Sequence, residues 1–192
     1  MKIALPFAVV TCLWGCTTAS DPATTPAADA GVDAPVAEEC PSPTGAGTQH
    51  TGATISADET WTAAGSPHVL TFDQQVTKGA TLTIEPCAVV RVKGGYKLVV
   101  DSGAKLVATG TASKPIRITA DDPSAPWGHL AAFGPSTLKL AYVTLEGAGL
   151  EASGAYGAIE VRGDQALPVQ ELLAVDHVTV KGSASAGVSL RA

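Results

Sequence analysis

The chain has 192 residues, 45% hydrophobic and 16% charged, a length that suits about one domain and excludes a large multidomain machine. Its net charge of −6 is unevenly spread: eight acidic residues and no Lys or Arg lie between Ile3 and Asp73, whereas Lys78 to Ala192 carries eleven basic against ten acidic residues. The second part is therefore nearly neutral, without the basic face that marks a nucleic-acid partner, and none is expected.

Residues 1–15 read as a targeting segment rather than as structure. Lys2 supplies a positive start, and Ile3 to Leu13 is an apolar stretch broken by Pro6 and Thr11. It falls short of the ~20 residues a spanning helix needs and suits a signal-peptide core. It ends in Leu13-Trp14-Gly15-Cys16, which resembles the lipobox of bacterial lipoproteins at Leu13, Gly15 and Cys16 and departs from it at the bulky Trp14. The resemblance implies cleavage before Cys16 and acylation of its thiol, with Thr17 in place of an inner-membrane retention Asp. The expected location is thus the outer membrane or cell surface, held by a lipid anchor; more than one acyl chain is needed for firm attachment. An ordinary secretory signal is the alternative.

Residues 16–39 comprise this Cys16 and a run of Ala, Thr, Pro and Asp with little to bury, a composition that predicts a disordered tether. Cys12 leaves with the signal and Cys16 takes the lipid, so Cys40 and Cys87 remain. In an exported domain they are expected to form a disulfide. Closing that loop is worth about 3–4 kcal/mol in the chain-entropy model. A two-thiol metal site is the weaker alternative, since no matching His spacing accompanies it.

Beyond Thr60, apolar residues fall in i, i+2 pairs. They include Leu82/Ile84, Val90/Val92, Leu98/Val100, Ile116/Ile118, Leu138/Leu140, Val143/Leu145, Ile159/Val161, Val178/Val180 and Val188/Leu190. A period of two means short strands with one buried face, and Gly, Pro, Asp or Ser punctuates most of them. Only Asp164 to Asp176 is compatible with a helical turn, interrupted by Pro168. The chain contains no Asn, hence no Asn-Gly hairpin signal.

The segments LTIEPCAVVRV, LVVDSGAKLVATGT, KPIRITADD, APWGHLAAFG and LKLAYVTLEGAG resemble one another. They also resemble the phrases of bacterial right-handed parallel β-helix repeat proteins of the pectin lyase-like superfold, over about Leu70 to Ala192. Cys87 stands where that pattern has Gly after Glu-Pro, and His129 replaces another Gly. The resemblance implies an all-β solenoid of five or six coils, each roughly 20–25 residues, that bury their inner faces only by stacking. Residues 40–69 are expected to cap its start, with the β-helix over 70–192. The last residues, VSLRA, read as mid-coil, which suggests a truncated product or an end that pairs with another copy or protein.

Chemistry is sparsely marked. Residues 147–152, GAGLEA, match G-x-G-x-x-A, but no helix is expected there and a solenoid turn is the better reading. Asp121 and Asp122 form a loop doublet that could contribute to calcium, although calcium takes six to eight oxygens and a solvated turn explains the pair. Trp127 and His129 are candidate carbohydrate contacts by stacking on a sugar ring; the resemblance places Trp127 at a packing position instead. Asp176 and His177 are consecutive, so a strand would point them to opposite faces. Glu146 and Glu160 are among many residues able to face a groove. No catalytic, cofactor-binding or metal residue is assigned.

The resulting expectation is a non-catalytic, surface-anchored lipoprotein that binds an extracellular or envelope polymer, a polysaccharide first. The alternatives are a structural module assembling through its last coil, where Val188 and Leu190 to Lys would block assembly, and a polysaccharide lyase or hydrolase. The fold alone does not decide, because it hosts many functions.

Overall fold

The computed structural model describes residues 39–52, 54–150, 156–164, 166 and 171–191. The signal segment, Cys16 and nearly all of the tether lie outside the described residues. Strands follow one another round a stack. The first coil holds β1 (Thr48–His50) and β2 (Glu59–Trp61); the second β3 (His68–Leu70), β4 (Gln74–Val76) and β5 (Thr81–Ile84). The third holds β6 (Val89–Val92), β7 (Leu98–Val100) and β8 (Lys105–Thr109). The fourth holds β9 (Ile116–Ala120), β10 (Leu130–Phe133) and β11 (Thr137–Ala141), and the fifth β12 (Val143–Glu146), β13 (Ile159–Arg162) and β14 (Leu173–Asp176). β15 (Thr179–Lys181) and β16 (Val188–Arg191) begin a sixth.

Each strand hydrogen-bonds to its counterpart one coil away, always in parallel. Three sheets result, ordered β1-β3-β6-β9-β12-β15 (sheet A), β4-β7-β10-β13-β16 (sheet B) and β2-β5-β8-β11-β14 (sheet C). This is a right-handed parallel β-helix, the hand that parallel crossovers take. The paired apolar residues point inward and stack on like residues. Val90, Ile118, Leu145 and Val180 form one column, and Leu98, Leu130, Ile159 and Val188 another. Leu82, Leu106, Leu138 and Leu173 form a third. Leu70, Leu82, Leu98, Leu106, Leu130, Leu138, Ile116 and Ile118 are fully buried, each worth about 1.5–3 kcal/mol.

Three expectations need correction. The ladders begin at Thr48 rather than near residue 70, because Thr48–His50 pairs with β3 and Glu59–Trp61 with β5. This first coil lacks paired aliphatics; beside Ile55, which bridges to Val76, its inward residues are His50 and Trp61, which with His68 close the end of the core. The His68 and Trp61 rings stack at 5.3 Å, and His50 lies 4.4 Å from Trp61. Coil length is also not constant: partners along sheet A are Thr48, His68, Val90, Ile118, Leu145 and Val180, spacings of 20, 22, 28, 27 and 35 residues. The additions fall in the turns, which solvent accommodates, while the rungs keep their ~4.8 Å separation. Finally, in the segment compatible with a helical turn, Leu173–Asp176 is strand, since pairing with Leu138–Ala141 satisfies its backbone; residues 165 and 167–170 lie outside the described residues.

Cys40 and Cys87 form the expected disulfide, with Cα atoms 5.1 Å apart. Cys87 sits at φ +66° in the turn between β5 and β6. That left-handed conformation favours glycine, which gives a physical reason for the Gly usual after Glu-Pro.

Candidate functional site: the outward face of sheet B

Alternation sends every second residue of sheet B outward, and in-register stacking aligns these residues into three columns. The central column is Gln75, Val99, Ala131, Glu160 and Ser189. One flank is Asp73, Lys97, His129 and Ala158, continued by the bonds from Gln74, Leu98 and Leu130 N–H to the carbonyls of Lys97, His129 and Ala158. The other runs through Asp101, Phe133, Arg162 and Arg191.

The larger side chains of this face form the walls of two clefts. A cleft of about 120 Å³ is lined by Lys97, His129, Phe133, Tyr156 and Arg162. A second, of about 280 Å³, shares the Lys97 and Phe133 walls and extends past Val99 to Asp73, Gln75 and Asp101. His129 stacks on Tyr156 at 5.3 Å. The Arg162 guanidinium lies 5.4 Å from the Phe133 ring centre and 5.9 Å from that of Tyr156, and Arg191 covers Tyr156 at 5.0 Å. Such cation–aromatic contacts hold flat side chains in place.

Charges on this face are largely paired with one another. Lys97 Nζ lies 3.7 Å from Asp73 Oδ2, the Lys97 N–H donates to Asp73 Oδ1, and Gln75 donates to Asp101. Arg162 donates to Glu160 Oε1 at 3.0 Å. Glu160 is fully buried although it points outward, while the Arg162 side chain is 44% exposed. The second carboxylate oxygen, Oε2, is buried with no hydrogen-bond partner. Hydrogen bonding to Tyr156, and then to Glu160, raises the Arg162 pKa above its ordinary value.

The residues singled out from sequence are dispersed. His129 lines the cleft. Trp127 does not: it is fully buried, and its indole N–H donates to the Glu146 carbonyl at 2.9 Å, so it offers a sugar no open ring face. Glu160 belongs to the sheet B grid, whereas Glu146 lies on sheet A in register with Thr119 and Lys181. Asp122 Oδ1 accepts from Ser124 N–H at 2.8 Å and from its hydroxyl at 2.7 Å, bonds that lower the Asp122 pKa. Its visible role is to fix a turn, and among the described residues no three His, Cys, Asp or Glu side chains cluster to hold a metal. Gly147 and Gly149, at φ +70° and +88°, form a turn rather than the start of a helix.

Asp176 and His177 require a correction. His177 leaves β14 at φ +48°, so its ring swings back and Nδ1 lies 2.7 Å from Asp176 Oδ1. The ring also stacks at 4.4 Å on Tyr142. The opposite-face rule fails here because the strand has ended.

Reading the sequence alone misses Lys97, Phe133, Tyr156 and Arg162. The signal for three of them is the i, i+2, i+4 series through residues 97–101, 129–133 and 158–162, which aligns only once the unequal coil spacing is known.

The fold and its polar grooved face define a parallel β-helix domain of the kind that presents a long, stacked surface. The profile of the family described as pectate-lyase like beta helix domain matches residues 52–164, and the chain belongs to that family. No curated protein and no solved structure matches it.

Proposed function

We propose that this protein is an exported, lipid-anchored β-helix that binds a polysaccharide of the envelope or surroundings along sheet B without cleaving it. The observation that carries this reading is the grid itself. Polar side chains recur at each rung beside two adjoining clefts that share Lys97 and Phe133, with Phe133 and Tyr156 as aromatic walls, an arrangement suited to a repeating ligand. Phe72 adds an exposed aromatic at the edge, 5.4 Å from Tyr96. The Cys40–Cys87 disulfide supports export, since such bonds persist in oxidising compartments. The lipobox-like sequence ending at Cys16 supports the anchor.

The test is a polysaccharide-array screen of the oxidised chain, followed by sizing of any bound polymer. Expected are polymer-specific retention, loss of retention in Phe133→Ala with the fold intact by circular dichroism, and unchanged polymer length. Retention by no polysaccharide overturns the binding reading, and shortening of the polymer overturns the non-catalytic one. Palmitate labelling that survives Cys16→Ala overturns the anchor.

A further inference from the structure

Glu160 is a carboxylate on the outward face of a sheet, yet it is fully buried and only one of its oxygens has a partner. An ionised acceptor withdrawn from water without its hydrogen bonds is costly, so the Oε2 position calls for a donor. Its cover on one side is Arg162, a half-exposed side chain that lines the neighbouring cleft. Rotation of that one side chain would open a path from the cleft to Glu160.

The charges of the grid point the same way. Asp73, Asp101 and Glu160 balance Lys97, Arg162 and Arg191 in number. Both cations that line the clefts, Lys97 and Arg162, already contact carboxylates of the same face. A polyanion would meet no net positive field there; its ring hydroxyls could donate to Glu160, but its carboxylates would lie beside carboxylates of the same face, like charges that repel.

We infer that Glu160 is the specificity-determining residue of the sheet B cleft: it accepts a hydrogen bond from a sugar hydroxyl, and its negative charge repels uronate carboxylates, so that neutral sugar units are selected. This rests on the polysaccharide-binding reading above. Arg162, turned outward, keeps one contact to Glu160 and offers its remaining N–H groups to an adjacent hydroxyl oxygen, while Tyr156 supplies a flat face for ring C–H groups.

The experiment is affinity electrophoresis of the full oxidised chain in gels containing dextran, galactomannan or xyloglucan, and in parallel polygalacturonate or alginate, at low and at physiological salt. Retardation by at least one neutral polymer, insensitive to salt, is the expected result, with none by the polyuronates. Glu160→Gln should weaken neutral retardation about tenfold or more, the usual loss when a charged acceptor is removed. Lys139→Gln, on the outer face of sheet C, should not. Retardation by polyuronates alone, or a folded Glu160→Gln that binds neutral polymer as wild type does, overturns the inference and leaves polysaccharide binding standing. Binding of none of these polymers overturns both. If the variant fails to fold, retardation of the wild-type chain by polyuronates alone still overturns the inference.

Discussion

His50 Nε2 lies 3.1 Å from His68 Nδ1 at the closed end of the core, and the neighbouring contact fixes where the protons sit. His68 Nε2 is 2.9 Å from the Thr62 carbonyl, which only accepts, so Nε2 carries the proton and Nδ1 accepts from His50 Nε2–H. Protonating His68 at Nδ1 would set two donors against each other.

This pair predicts acid sensitivity of the first coil. Both imidazoles have pKa values below 6.5, first because burial disfavours the cation; for His50 the neighbouring His68 acts in the same direction, and Glu59 opposes both shifts. The unfolded chain therefore takes up protons near pH 6.5 that the folded cap resists. Stability is full above that pH and is lost as pH falls from there towards the folded pKa values. Thermal melts at pH 7.5 and 5.5 should show a lower transition in acid, and His50→Gln should flatten the difference. A pH-independent transition in the wild-type chain contradicts the account.

Removing the Cys40–Cys87 bridge should cost about 3–4 kcal/mol, because it closes a long loop of the unfolded chain. The residue left at position 87 should matter as well. Cys40→Ser with Cys87→Gly should be more stable than Cys40→Ser with Cys87→Ala by about 1 kcal/mol, since only glycine adopts φ +66° without strain. Denaturant midpoints of the two double variants measure this directly.

Trp127 should behave as a core residue. Trp127→Ala is expected to cost about 3–5 kcal/mol. Trp127→Phe should cost less, by keeping most of the packing while leaving the Glu146 carbonyl without its indole donor. Polymer binding by folded Trp127→Phe should match wild type; its loss would place the indole in the binding site.

Arg162 and Glu160 should be coupled in stability. Arg162→Ala strips the buried carboxylate of its only hydrogen-bond donor among the described residues, an expected cost of about 1–3 kcal/mol. Adding Glu160→Gln should restore part of that loss, since the uncompensated charge is then gone. Simple additivity in the double-mutant cycle would show that the two side chains do not interact.

Most of the β-helix was legible because its signal is local: Leu82/Ile84 and Leu98/Val100 announce inward-facing strand residues without reference to the rest of the chain. The first coil was not, since His50 and Trp61 fill inward positions that aliphatics fill elsewhere. The disulfide followed from exclusion of Cys12 and Cys16. The cleft depends on register, and register depends on turn lengths that carry no periodic signal. Lys97 follows Asp73 by 24 positions, whereas His129 follows Lys97 by 32. Only hydrogen bonding across coils brings these residues into one column. Asp176 and His177 show the complementary limit: a single left-handed residue reverses a side-chain direction that alternation would assign.

The Cys40–Cys87 bridge would also set where a force applied ahead of Cys40 enters the domain. Tension arriving through the residues before Cys40 passes through sulfur to the turn after β5, bypassing β1 and the edge of the first coil. A solenoid pulled from its terminal strand opens rung by rung, each rung resisting alone. Pulled at position 87, the stack instead bears the force between its second and third coils, where rungs on both sides share it, while the aromatic plug of His50, Trp61 and His68 remains slack. Reduction would return the force to Thr48–His50, and the domain would peel from its first rung.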